Sequence, residues 1–210
     1  MRSSIDPCIK FFYAHARIVN QSRLSFLKVS HMQSSTTQNT SIFFITGTNG
    51  AGKSTLVDAL EQILPKNQFA VHDFDAFGIP DDPTTAWRQE TTQHWLKIAA
   101  AYTAAGKSTV ICGFCVPAEI IAAASNINAP LFFSFLDIPE PIIRERLETR
   151  GWAPALINDN IAWADQLKAG VSEQPNHLII QCSEKTSPQK IADMVKEWII
   201  AQTNELKITP

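Results

Sequence analysis

No stretch of this sequence approaches the roughly 18 consecutive apolar residues that a membrane-spanning helix needs, although 45% of its 210 residues are apolar. Charge is sparse, at 18% of residues, and unevenly placed. Residues 1–40 carry Arg2, Lys10, Arg17, Arg23 and Lys28 against the single acid Asp6, whereas residues 41–210 carry 13 Lys/Arg and 19 Asp/Glu. The larger part therefore lacks the basic stripe that tracks a phosphate backbone, which argues against nucleic acid as a partner. Four cysteines, at 8, 112, 115 and 182, are too few and too scattered for a disulfide scaffold, so a reducing compartment such as the cytoplasm fits. Cys112-Gly-Phe-Cys115 is a lone C-x-x-C with no second ligand pair for zinc. Two buried thiols at a strand end are favoured over a redox pair. Glycine is also scarce, with eight in the chain, yet three of them fall within six residues, at 47, 50 and 52.

That concentration marks the stretch around which the chain is organised. Ile42-Phe43-Phe44-Ile45-Thr46 is a short apolar run. Gly47-Thr48-Asn49-Gly50-Ala51-Gly52-Lys53-Ser54-Thr55 follows it, and a helix-forming segment continues to about Leu64. The loop fits G-x-x-x-x-G-K-[ST] at every fixed position. Its glycines let backbone N–H groups turn toward phosphate oxygens with no Cβ in the way. Gly47, Asn49, Gly50, Ala51, Gly52, Lys53, Ser54 and Thr55 are thus the expected nucleotide-binding residues. Lys53 supplies a mobile charge to the β- and γ-phosphates, and the Ser54 hydroxyl is a Mg²⁺ ligand. A second copy of the core letters, Gly106-Lys107-Ser108-Thr109, lacks the upstream glycine and lies between a helical pattern and an apolar run. It reads as a helix end.

Residues 1–40 stand apart from this pattern and read as a leader outside the folded domain. Their basic, acid-poor composition resembles an organelle transit segment over residues 1–31, and translation from Met32 is the alternative. From 41 to about 205, strands and helices alternate. Strands are expected at Ile42–Thr46, Phe69–His72, Thr109–Cys112, Leu131–Leu136 and His177–Gln181. Helices are expected from Thr55 or Leu56 to about Leu64, from Thr84 or Thr85 to Ala105, over Pro117–Ala124, from an opening at Asp137–Glu140 to about Arg150-Gly151, from Asn158 or Asp159 to Lys168, and over Pro188–Ala201. The pattern predicts a three-layer α/β/α sandwich around a five-stranded parallel sheet, with ligands at the carboxyl ends of the strands.

The remaining candidates fall at those ends. Asp73 and Asp75, two apart, would face one side of an extended segment. Asp73 is assigned to the metal and Asp75 to the acceptor hydroxyl as base, an order that the sequence leaves reversible. Asp137 follows an apolar strand, and helix capping is favoured over a metal role. Arg146 and Arg150 share a helix face and are expected to stabilise charge on the transferring phosphoryl group. Arg88 and Gly113 are candidates for acceptor binding. Trp87, Trp152 and Trp163 read more readily as core than as stacking platforms, and His72, His94 and His177 as structural.

Together these residues resemble the small-molecule kinase branch of the P-loop NTPases, which includes adenylate-, shikimate- and gluconate-kinase-like proteins. The resemblance covers about residues 41–202. It rests on Gly47–Thr55, Asp73-Phe-Asp75, Gly113 and Arg146-Leu-x-x-Arg150. It implies sheet order 2-3-1-4-5, ATP·Mg²⁺ as donor, and a short lid at about 150–158. The expected function is phosphoryl transfer to a metabolite hydroxyl, nucleoside or nucleotide. A nucleotide-dependent switch without an acceptor is the alternative, and a nucleic-acid 5′-end kinase is a third reading. The acceptor and the oligomeric state leave no mark in the sequence.

Overall fold

A computed structural model describes residues 40–80 and 83–208. The leader reading of 1–40 lies almost wholly outside the described residues. Five strands, β1 (Ile42–Thr46), β2 (Phe69–Asp73), β3 (Ser108–Gly113), β4 (Leu131–Asp137) and β5 (Leu178–Gln181), alternate with six α-helices. The helices are α1 (Lys53–Ile63), α2 (Thr85–Ala104), α3 (Pro117–Ala123), α4 (Glu140–Thr149), α5 (Pro154–Ser172) and α6 (Pro188–Ile208). All four strand pairings are parallel, and the sheet order is β2-β3-β1-β4-β5. Among the described residues no helix is long and apolar enough to cross a membrane.

The central strands are apolar on both sides because both faces of the sheet are covered. Phe43 and Ile45 enter one core with Leu56, Leu60, Val110, Phe132, Val195 and Ile199; Ile42 and Phe44 enter the other with Trp95, Ile111, Ile120, Phe133 and Leu167. Neighbouring strands pair their aromatics in register: Phe43 stacks on Phe132 at 5.1 Å and Phe44 on Phe133 at 5.7 Å. This packing fixes the sheet register and so the level at which every strand end meets the crevice.

Helix boundaries follow proline and caps. The Thr84 hydroxyl accepts the Trp87 N–H and starts α2. The second copy of the loop letters is the end of that helix, where the Gly106 and Lys107 N–H groups bond the carbonyls of Thr103 and Tyr102. Helix α5 begins four residues before the earlier of its two predicted starts. Pro154 occupies its first turn, and Ala153 takes the extended backbone that a residue before proline favours. The α4–α5 connection is thereby only Arg150–Ala153. Asp137 does not cap α4. Pro139 holds the cap position without a side-chain bond, while Asp137 Oδ2 accepts from Lys168 Nζ at 2.6 Å and Gln181 Nε2 at 2.7 Å.

His72 is structural. Its ring packs 4.8 Å from Trp95 and 5.4 Å from Tyr102, and its Nε2 is buried without a partner. Burial depresses its pKa to about 4. The unfolded chain therefore binds a proton that the native state refuses, and stability is lost as pH falls from about 6.5 toward 4. His72→Phe is expected to shrink the stability difference between pH 7 and pH 4.5 by about 2–3 kcal/mol. Urea unfolding at the two pH values measures this; an undiminished difference would place the acid sensitivity elsewhere.

Candidate active site

Strand β1 is buried along its whole length and delivers Gly47–Gly52 at the carboxyl edge of the sheet. Gly50 and Gly52 have φ of 83° and 90°, the left-handed region that a side chain disfavours. A Cβ on Gly52 would meet nothing within 4 Å, so the loop leaves a bare backbone surface there. Gly52 also occupies the N-cap of α1 and supplies no side-chain acceptor to the first-turn N–H groups. These are the features of an anion cradle at a helix N-terminus. The loop rests on α4, for an added Cβ on Gly50 would lie 3.6 Å from Ile143 and Leu147.

Lys53 Nζ donates to the Thr48 carbonyl at 2.9 Å, folding the ammonium back over the loop. Burial lowers its pKa, and Asp75 and Asp73 oppose that shift. Ser54 Oγ donates to Asp73 Oδ2 at 3.1 Å, and Asp73 Oδ1 accepts the Asp75 N–H at 2.9 Å. The two aspartates do not share an extended segment as the sequence implied. Asp73 ends β2, and its carboxylate caps a 3₁₀ turn, Phe74–Phe77, that contains Asp75. The turn buries Phe74 and holds Asp75 in place, with Oδ1 buried and unpartnered. Burial first, and then the charge of Asp73, raises the Asp75 pKa to about 7, with Lys53 pulling the other way. One lysine, one hydroxyl and two carboxylates thus converge beside the loop.

Both predicted arginines reach this region. Arg146 Nη1 donates to the Gly50 carbonyl at 2.8 Å, so it fastens the loop to α4 and does not pair with Glu145 or Glu148 on its own helix. Arg150 is exposed and lies close enough to Lys53 for its charge to disfavour a second cation there. Arg144 points elsewhere, to Glu140 and Asn158.

A sequence model of the P-loop containing region of AAA domain matches residues 25–74. No curated protein sequence matches the chain. Among solved structures, a sugar kinase from Janibacter sp. HTCC2649 superposes with a TM-score of 0.57 at 19% identity, covering 77% of this chain and 95% of its own. A gluconokinase from Sinorhizobium meliloti 1021 gives 0.58 at 16% identity, covering 81% and 97%. A shikimate kinase from Acinetobacter baumannii, in complex with shikimate, gives 0.56 at 13% identity, covering 79% and 96%. The fold is that of the P-loop small-molecule kinases.

Within this kinase-like fold, the residue that sequence reasoning missed is Asn160. It is fully buried on α5, and its Oδ1 accepts both the backbone N–H of Asn49 at 3.0 Å and the Asn49 side-chain amide at 3.3 Å, while its Nδ2 donates to the Asn49 carbonyl at 3.2 Å. The main-chain groups of Asn49 are thus engaged in anchoring the loop to α5. Nothing in the sequence separates Asn160 from an ordinary mid-helix asparagine. Asn160→Ala is expected to weaken nucleotide binding about tenfold, because it strands buried donors and acceptors worth ~1–3 kcal/mol each. Titration calorimetry with ATP checks this, and unchanged affinity in a folded variant would make the clasp incidental.

Gly113 allows a close approach, but the group that approaches is Phe74. A Cβ on Gly113 would lie 2.1 Å from the Phe74 Cβ, so this glycine seats the turn that carries Asp75. Arg88 is neither a surface charge nor an open anion receptor. It is buried on the first turn of α2 and makes a two-pronged bond to Glu119, with Nε to Oε2 at 2.8 Å and Nη2 to Oε1 at 2.6 Å. Trp152 belongs to the core, Trp87 packs against the core in part, and Trp163 meets Phe114 edge-on at 5.4 Å. Cys112 and Cys115 are buried free thiols, and burial pushes both pKa values upward, which leaves them protonated and inert.

The donor set suits a hard divalent cation. Among the described residues no cluster of three or more His, Cys, Asp or Glu could hold a metal ion by itself. Mg²⁺ instead takes one or two protein oxygens and completes its shell with water and phosphate, and the linked Ser54 hydroxyl and Asp73 carboxylate fit that habit.

Proposed function

We propose that this chain transfers the γ-phosphoryl group of ATP to a hydroxyl of a small-molecule acceptor. The observation that carries the reading is Asp75, a second carboxylate beyond the Ser54–Asp73 pair. It is held in the Phe74–Phe77 turn beside Lys53, with Oδ1 buried and unpartnered and a pKa raised to about 7. A switch protein needs the phosphate cradle and a metal ligand but no poised base at a second position.

In this reading Gly50, Ala51, Gly52 and Thr55 present backbone N–H groups to the phosphates, with Gly47 setting the turn out of β1. Lys53 neutralises charge on the β- and γ-phosphates. Ser54 and Asp73 would hold Mg²⁺, which when bound would offset negative charge on the phosphate oxygens. Asp75 accepts the acceptor's hydroxyl proton and orients its oxygen for in-line attack. Arg150, at the end of α4, stabilises the phosphoryl group in flight, and Arg146 keeps the loop in register with α4. The short Arg150–Ala153 connection serves as the lid edge that excludes water.

The test is ADP formation by the full chain with ATP and Mg²⁺, alone and with sugars, sugar acids, shikimate, nucleosides and nucleotides. Stimulation by one class, with the phosphorylated compound seen by mass spectrometry, supports the proposal. Slow hydrolysis that no compound accelerates would favour a nucleotide-dependent switch.

A further inference from the structure

In the kinase reading the acceptor lies beside Asp75, where the Phe74–Phe77 turn packs on Gly113 of β3 and Trp95 Nε1 of α2 donates to the Phe74 carbonyl at 2.8 Å. Cys115, in the Phe114–Val116 segment before α3, lies close enough to feel the charges of both Lys53 and Asp75, which places the α3 approach beside the base. Arg88, on the first turn of α2, packs against Phe114 of this segment and is engaged. Its side chain is 6% exposed and that of Glu119 is 16% exposed. The pair meets in the fork-to-carboxylate geometry that binds most tightly. The guanidinium also lies 5.8 Å from the centre of the Phe114 ring, which Trp163 of α5 meets edge-on at 5.4 Å.

We propose that the acceptor is an uncharged hydroxyl compound, a sugar, polyol or nucleoside, and that Glu119 enforces this choice by occupying Arg88. The inference rests on the kinase reading above and adds the substrate class. An acceptor carboxylate or phosphate drawn to this guanidinium would have to displace Glu119 from Arg88. The displaced carboxylate would be left enclosed and unpaired, a costly arrangement. Asp73 and Asp75 add further repulsion against a second anion. A neutral acceptor meets none of these penalties. In the transfer itself the acceptor oxygen bonds to the γ-phosphorus as the bond from that phosphorus to the β–γ bridging oxygen breaks. ADP leaves with the electron pair, and the hydroxyl proton passes to Asp75.

The experiment compares matched neutral and anionic acceptors with the full chain, ATP and Mg²⁺: glucose against gluconate, and adenosine and thymidine against their 5′-monophosphates. Wild type is expected to favour the neutral member of a pair by about tenfold or more in kcat/KM. Glu119→Gln, which leaves Arg88 charged but no longer neutralised, should move that ratio at least about tenfold toward the anion. It should also let gluconate or the nucleotide raise the melting temperature where wild type shows no shift. The Arg88→Met/Glu119→Leu double variant should gain no such response, since the gain requires the bare guanidinium. If Glu119→Gln does not fold, the wild-type ratio decides alone. A wild-type preference for the anionic member, or an unmoved ratio in folded Glu119→Gln, overturns this inference and leaves the kinase reading intact. Phosphorylation of no compound at all overturns both.

Discussion

Asp75→Asn is expected to lower kcat by about 10²–10⁴-fold while making the protein more stable above pH 7. The two effects have one cause. Asp75 sits in the Phe74–Phe77 turn with Oδ1 buried and unpartnered, beside the like charge of Asp73. Its pKa rises from an ordinary 3.8 to about 7, so the native state holds the proton more tightly than the unfolded chain. Stability is therefore lost as pH climbs from about 4 through 7, and above 7 the native state carries an unfavourable charge. Asparagine removes that charge, a gain of about 4 kcal/mol at pH 8 that fades toward pH 4. The same raised pKa puts the base within range of a hydroxyl proton near neutral pH, so kcat/KM should rise with pH through an acid limb near 7. Asp73→Asn should move that limb to lower pH by removing the neighbouring charge. Thermal melts at pH 5 and 8, beside a pH–rate profile, check the account. A loss of stability at pH 8 in Asp75→Asn would mean that the carboxylate is a structural acceptor.

Lys53→Ala is expected to lower kcat/KM by about 10²–10³-fold or more, with little change in the melting temperature of the unliganded protein. Among the described residues Lys53 bonds a carbonyl of its own loop, Thr48, and burial lowers its pKa, so the fold gains little from its charge. Its enclosed position between the loop and the two aspartates is useful only if negative charge arrives there. Initial-rate kinetics in ATP would then show a fall in kcat larger than the rise in KM, because the charge to be stabilised grows in the transition state. A variant with unaltered turnover would remove the lysine from the mechanism.

Most of the fold could be read from residue order. Apolar runs of five or six residues separated by amphipathic segments dictate a parallel sheet, and the glycine-rich loop after the first run identifies the crevice edge. What escaped reading has physical reasons. The start of α5 was sought at a polar cap, Asn158 or Asp159, whereas Pro154 sets it through backbone geometry alone. Asp137 looked like a cap because it precedes a helix, but its partners Lys168 and Gln181 come from elements far along the chain. Asn160 and Glu119 were invisible for the same reason. Each acts through a partner more than 30 residues away, and only the packing of α5 on the loop, or of α3 against α2, brings those partners together. A glycine at a strand end marks space needed by some group, and only the fold reveals Phe74 as that group at Gly113.

The most direct test of the central claim is the fate of the γ-phosphoryl group when the full chain turns over ATP and Mg²⁺ in ¹⁸O-labelled water with the stimulating acceptor. Direct transfer predicts a phosphorylated acceptor without ¹⁸O, formed in step with ADP and absent when Lys53→Ala replaces wild type. ADP accompanied only by ¹⁸O-labelled inorganic phosphate, whatever acceptor is present, would contradict the account.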